Sequence, residues 1–152
     1  MKQKVTSGVV IIDKEGNILG CHATGKPDYT GYDFPKGCVE PGESDITTAI
    51  RELKEETGLV VSESDLIDAG VHPHNKEKDI HLFIYRASVL PNTATLKCTS
   101  YFETPSGKRL PEMNTFKIIS KSERGLFNKV LQNKFDIIDS YNERKNLQDN
   151  TQ

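Results

Sequence analysis

The apolar and polar positions change period along the chain. Residues 5–13 read VTSGVVIID and residues 18–24 read ILGCHAT, with the polar KEGN between them. Apolar, β-branched runs around a turn predict two strands joined as a hairpin. Residues 25–41 are rich in Gly, Pro and Asp and predict a long loop, a kind of segment that often carries function. From 44 to 57 the period becomes helical: Ile46, Ala49, Ile50 and Leu53 recur at i, i+3, i+4 and i+7. Ser44 stands at the N-cap of that helix and Gly58 at its C-terminal stop. Residues 66–74 and 80–90 predict two more strands around the charged turn NKEKD. Residues 90–114 read as loop with a short hairpin tipped by Ser106-Gly107, and 116–120 as a short strand. A second long helix is expected from 122 to about 141, with Leu126, Phe127, Val130, Leu131, Phe135 and Ile138 as its apolar stripe. A single domain over 1–141 and a polar, frayed tail over 142–152 follow from this pattern.

Composition narrows the class. The chain has 152 residues, 35% hydrophobic and 28% charged, with a formal net charge of −2. That suits one folded domain with one core and excludes broad electrostatic binding to nucleic acid or an anionic membrane. No apolar run reaches the ~20 residues of a membrane span. The N-terminal run from Val9 to Ile12 is too short for a signal peptide. Cys21, Cys38 and Cys98 lie far apart and form neither a disulfide framework nor a zinc spacing, which points to a reducing cytoplasm.

The helix over 44–57 carries a local cost. On a wheel of about 100° per residue, Glu52, Glu55 and Glu56 group roughly 120° from the apolar stripe. Like charges at this spacing each cost about 0.2–0.5 kcal/mol, and the helix macrodipole disfavours anions near the C-terminus. Such an acidic face is either simply solvated or offset by a hard divalent cation.

The surrounding residues decide between these readings. Gly37, five residues, Glu43, seven residues and then RELKEETGL (51–59) resemble the signature of the Nudix hydrolase family at every fixed position. The flanking order of elements is similar to a Nudix domain as well. The resemblance implies an α/β fold, a Nudix-type α/β/α sandwich with a mixed β-sheet and a loop-helix-loop box. It implies Mg²⁺- or Mn²⁺-dependent hydrolysis of the pyrophosphate linkage in nucleoside diphosphate derivatives. Glu52, Glu55 and Glu56 would be metal ligands, the carbonyl of Gly37 would complete their shell, and Glu40 would hold a metal-bound water or a second ion. Arg51 would serve the catalytic centre while pairing with Glu43, and Glu43 and Gly58 would be structural. Bound cations would neutralise the phosphates and activate water for in-line attack. Glu112, in PEMNTFKII (111–119), resembles a glutamate that reaches back to the metals and is the first candidate for the general base. Glu103 and Glu77 are weaker candidates.

Lys36, Phe34 and Arg86 are candidate substrate contacts, with loop shaping or pairing to a box carboxylate as the plainer readings. Tyr29, Tyr32, Tyr101 and Phe102 are set against base stacking or simple packing. Lys108 and Arg109 are loop-tip cations, and His72, His74 and His81 read as sheet histidines. The resemblance leaves the substrate open among ADP-ribose, diadenosine polyphosphates, FAD and capped or 5′-pyrophosphorylated RNA. A homodimer and a nucleotide-binding module without turnover are the remaining alternatives, and no membrane partner is expected.

Overall fold

The computed structural model describes residues 4–150. Strand β1 (Lys4–Ile12) is the axis of the fold. It runs parallel to β6 (Lys78–Arg86) from Lys4↔Lys78 to Ile12↔Arg86. From Val9 to Ile12 it is buried on both faces, which is why its sequence is continuously apolar instead of alternating. Strand β5 (Leu66–Pro73) returns antiparallel on the far side of β6.

The other edge of β1 is forked. β4 (Lys36–Cys38) takes Thr6, Ser7 and Gly8, whereas β2 (Ile18–Ala23) meets β1 only at Ile12↔Ile18. β2 then diverges to pair with β3 (Tyr32–Asp33) and β9 (Met113–Ile119). The expected β1–β2 hairpin is therefore a corner. The expected loop over 25–41 likewise contributes two short strands, because its backbone groups supply the partners each branch needs. A two-stranded ribbon of β7 (Tyr101–Glu103) and β8 (Arg109–Pro111) stands apart from the main sheet.

Side-chain alternation sorts the core into two layers. Val9, Ile11, Leu19 and Phe83 face helix α1 (Asp45–Thr57) and pack on Ala49 and Leu53. Val10, Ile12, Leu82 and Ile84 face the opposite layer, where they meet Phe127, Leu131, Phe135 and Ile138. The result is the mixed-sheet α/β/α sandwich.

The second layer corrects the expectation of one helix over 122–141. Two 3-10 segments, Lys121–Leu126 and Lys129–Lys134, precede α2 (Phe135–Asn150). Phe127 is extended, with φ −71° and ψ 150°, and bridges to Tyr32; the next amide, of Asn128, donates to the Tyr32 carbonyl at 2.8 Å. A tertiary bond thus replaces a helical one, and Phe127 turns into a cluster with Phe34 and Phe135. The expected apolar stripe is used, but spread over two 3-10 segments, the extended Phe127 and the first turns of α2. α2 also runs past the expected boundary at 141: Asn142 is buried and donates to the Asp13 carbonyl at 2.9 Å. Of the expected frayed tail, 151–152 lie outside the described residues. Among the described residues no helix is long and apolar enough to cross a membrane.

Candidate active site

Helix α1 is held at both ends as its sequence predicts. The Ser44 hydroxyl accepts from the Thr47 amide at 3.2 Å, and Gly58 adopts φ 85°, a left-handed conformation that favours glycine. Its inward stripe fixes the rotation of the helix, and that rotation delivers Glu52, Glu55 and Glu56 to the open side of the β1–β4 branch.

Glu56 is fully buried, so the acidic face is not a uniformly solvated one. Its Oε2 accepts the backbone N–H of Lys36 at 3.1 Å, while its Oε1 has no partner. Burial, then the neighbouring Glu52 carboxylate, hold its carboxyl well above the usual carboxylate range. Gly37 follows Lys36 on β4 and lies directly against the Glu52 carboxylate, in space that any Cβ would fill.

Arg51 organises the remaining acids. Its Nε and Nη2 donate to the two oxygens of Glu43 at 2.7 and 2.9 Å. Its Nη1 donates to Glu52 at 3.0 Å and to Glu55 at 3.2 Å. The hydrogen bonds from Arg51, then one from Thr48, hold the Glu43 carboxyl at about 2. The same contact with Glu43 raises the Arg51 guanidinium above its ordinary value. Glu40 stays at the rim, exposed and 3.9 Å from Arg51.

Glu112 comes in from a distant part of the sequence. Thr99 donates its N–H to the Glu55 carbonyl at 2.7 Å, and Glu112 donates its N–H to the Ser100 carbonyl at 3.0 Å. Burial, followed by the charges of Glu52 and Glu55, raises the Glu112 carboxyl.

Three expected substrate contacts are placed elsewhere. Phe34 is fully buried between Phe127 and Phe135, so it belongs to the core. Arg86 ends β6 at the opposite end of β1 from Gly37, where its Nε donates to Asn142 at 3.1 Å. The Lys36 side chain leaves β4 on the face opposite Gly37 and pairs with Asp33 at 3.0 Å. Burial lowers its ammonium pKa, but Asp33 outweighs this and the net shift is upward. Lys36 therefore serves the site through its backbone N–H.

The histidines do not converge either. His72 bonds the Ala69 carbonyl at 2.6 Å, and the Nδ1 of His74 is buried without a partner. His81 bridges Asp45 of α1 and Asp68 of β5, each at 2.7 Å. Neither that bridge nor the Asp33–Lys36 pair follows from the sequence; the i,i+3 spacing of Asp33 and Lys36 is the one local signal for either.

Among the described residues no three His, Cys, Asp or Glu side chains close on one point. Arg51 stands between Glu52 and Glu55, supplying the positive charge they need. The donor chemistry nevertheless fits a divalent cation. Hard carboxylate oxygens crowd together, the buried Glu56 Oε1 lacks a partner, and the β4 backbone approaches without a side chain.

The forked mixed sheet, two helical layers and carboxylate-bearing α1 define a class. Residues 2–105 match the family model for the NUDIX domain. The chain belongs to the Nudix family. An uncharacterised 17.7 kDa protein of Enterobacteria phage T4 is 35% identical over 132 residues, 81% of this chain and 87% of the relative. An RNA pyrophosphohydrolase of Erythrobacter litoralis is 27% identical over 73 residues, 48% of this chain and 44% of the relative. The asymmetrical bis(5′-nucleosyl)-tetraphosphatase of Mus musculus is 53% identical over 34 residues, 22% of this chain and 23% of the relative. Among solved structures, the MutT protein of Methanosarcina mazei Go1 matches with a TM-score of 0.61 at 19% identity, covering 96% of this chain and 98% of that one. A C. elegans Ap4A hydrolase binary complex gives 0.58 at 18% identity, covering 91% and 96%. At these identities the structural matches establish the fold alone.

Proposed function

We propose that the chain hydrolyses the pyrophosphate linkage of nucleoside diphosphate derivatives, using Mg²⁺ or Mn²⁺ held by Glu52, Glu55 and Glu56. One observation carries this reading: a buried glutamate with an unsatisfied oxygen, crowded by a second carboxylate, beside a glycine edge. A bound divalent cation supplies charge neutralisation and acidifies water there. The chain's own residues do the rest. Arg51 and Glu43 fix the spacing of the carboxylates. The Lys36 N–H fixes the Glu56 rotamer. Glu112 accepts a proton from the attacking water as its oxygen bonds to phosphorus. The bridging P–O bond breaks, and the departing phosphate takes the electron pair.

The substrate reading is a small-molecule nucleoside diphosphate derivative such as ADP-ribose, a diadenosine polyphosphate or FAD. Cleavage of an RNA 5′-pyrophosphate is the second reading, favoured by the similarity to an RNA pyrophosphohydrolase over 48% of the chain. The test is turnover of a panel of these compounds with Mg²⁺, Mn²⁺ or EDTA. Release of phosphate-bond cleavage products only with metal supports the proposal. No turnover of any member with either metal leaves a binding module instead.

A further inference from the structure

The β7–β8 ribbon carries two large aromatics into solvent, Tyr101 at 41% and Phe102 at 40% exposure, although it belongs to neither core layer. Their rings are therefore accessible from solvent at the edge of the box helix.

The root of the ribbon is tied to the box helix. The Lys97 N–H donates to Thr57 O at 3.0 Å, and both the N–H and hydroxyl of Thr99 donate to Glu55 O, at 2.7 and 3.1 Å. From there the antiparallel ladder runs without a slip. Ser100 meets Glu112, then Phe102↔Leu110, and Thr104 meets Lys108 near the tip. Alternation along paired strands puts Ser100, Phe102, Leu110 and Glu112 on one face. Tyr101, Glu103, Arg109 and Pro111 take the other face.

The two aromatics are not equivalent. The Arg109 guanidinium covers the Tyr101 ring at 4.5 Å. Among the described residues no ring or cation stacks on Phe102. Phe102 lies two residues along from Ser100, about 7 Å beyond the level of Glu112. A ribose can bridge such a gap.

We propose that Phe102, flanked by Leu110, is the nucleobase platform of this enzyme. The base of a nucleoside diphosphate stacks on the Phe102 ring while its phosphates reach the Glu112 end of the same ribbon face. Stacking of this kind tolerates different bases, because every base presents a π-face. The proposal rests on the nucleoside-diphosphate reading of the active site.

The chain contains no tryptophan, so Phe102→Trp introduces a single indole reporter at the platform. Titration with ADP and Mg²⁺ is expected to quench its fluorescence saturably, and inorganic pyrophosphate with Mg²⁺ is not. Equal responses to both, or no response to ADP, would overturn the platform. In kinetics with the best nucleoside diphosphate substrate, Phe102→Ala is expected to raise KM about 5- to 150-fold, the range of one base–aromatic stack. Its kcat should stay within about twofold, and Phe102→Trp should restore KM. An unchanged KM in a folded Phe102→Ala protein, checked by circular dichroism, contradicts the proposal. If the wild type turns over nothing, the hydrolase reading falls, while ADP-specific quenching still decides the base site separately.

Discussion

Arg51 holds Glu43 with two nitrogens, at 2.7 and 2.9 Å, and reaches Glu52 with the third at 3.0 Å. One side chain therefore secures the loop before α1 and spaces the acids on it. The Glu43 carboxyl titrates at about 2 in the fold, against an ordinary 4.5. A depressed folded value stabilises the protein above the ordinary value and loses that contribution as pH falls through the folded one. Glu43→Gln should lower Tm at pH 6, and the gap to wild type should close as pH drops from 4.5 towards 2. Melting curves across that range check this; a pH-independent gap would contradict it.

Glu56 has the opposite linkage. Burial raises its folded value, so above the ordinary carboxylate value the unfolded chain releases a proton that the fold retains, and stability falls. In EDTA at pH 7–8, Glu56→Gln should be more stable than wild type by at least about 1 kcal/mol, or ~2–4 °C in Tm. The difference should disappear below about pH 4.5, where wild type is protonated in both states. Added Mn²⁺ should stabilise the wild type and leave the variant nearly unmoved.

Glu112 lies on the rim, and its backbone N–H and carbonyl, bonded to Ser100 and Thr24, are both retained in a glutamine. Glu112→Gln should lower kcat by about 10²–10⁴, the usual range for loss of a general base, with little change in Tm. Steady-state kinetics beside a thermal melt separate the two. An unchanged kcat would remove Glu112 from the reaction.

Lys134 is buried with 3% exposure, and its ammonium donates to the Asn133 side chain at 2.6 Å. Burial lowers its folded pKa, so the protonated form is a cost that fades as pH rises through the folded value. Lys134→Met should raise stability by about 1–3 kcal/mol at pH 7, and the gain should shrink towards pH 10. Thermal melts at both pH values test it.

Local signals in the sequence located α1 and its caps because capping, periodicity and the glycine stop all act within one element. The box acids were legible for the same reason: their crowding is a local cost that asks for a cause. What was not legible depends on tertiary partners. Phe34 looks like an exposed loop aromatic until Phe127 and Phe135 enclose it. Lys36 looks like a phosphate ligand until the pairing of Gly8 with Lys36 sets which face its side chain leaves. The second helix fails at Phe127 because Tyr32, far upstream, offers a better hydrogen bond than the helix does.

The most direct measurement is turnover of the diphosphate panel by wild type and Glu56→Gln, each with Mn²⁺ and with EDTA. The account predicts metal-dependent cleavage by wild type and a loss of at least about 10² in kcat for the folded variant. Equal turnover by the two proteins, or cleavage by wild type that survives EDTA, would contradict it.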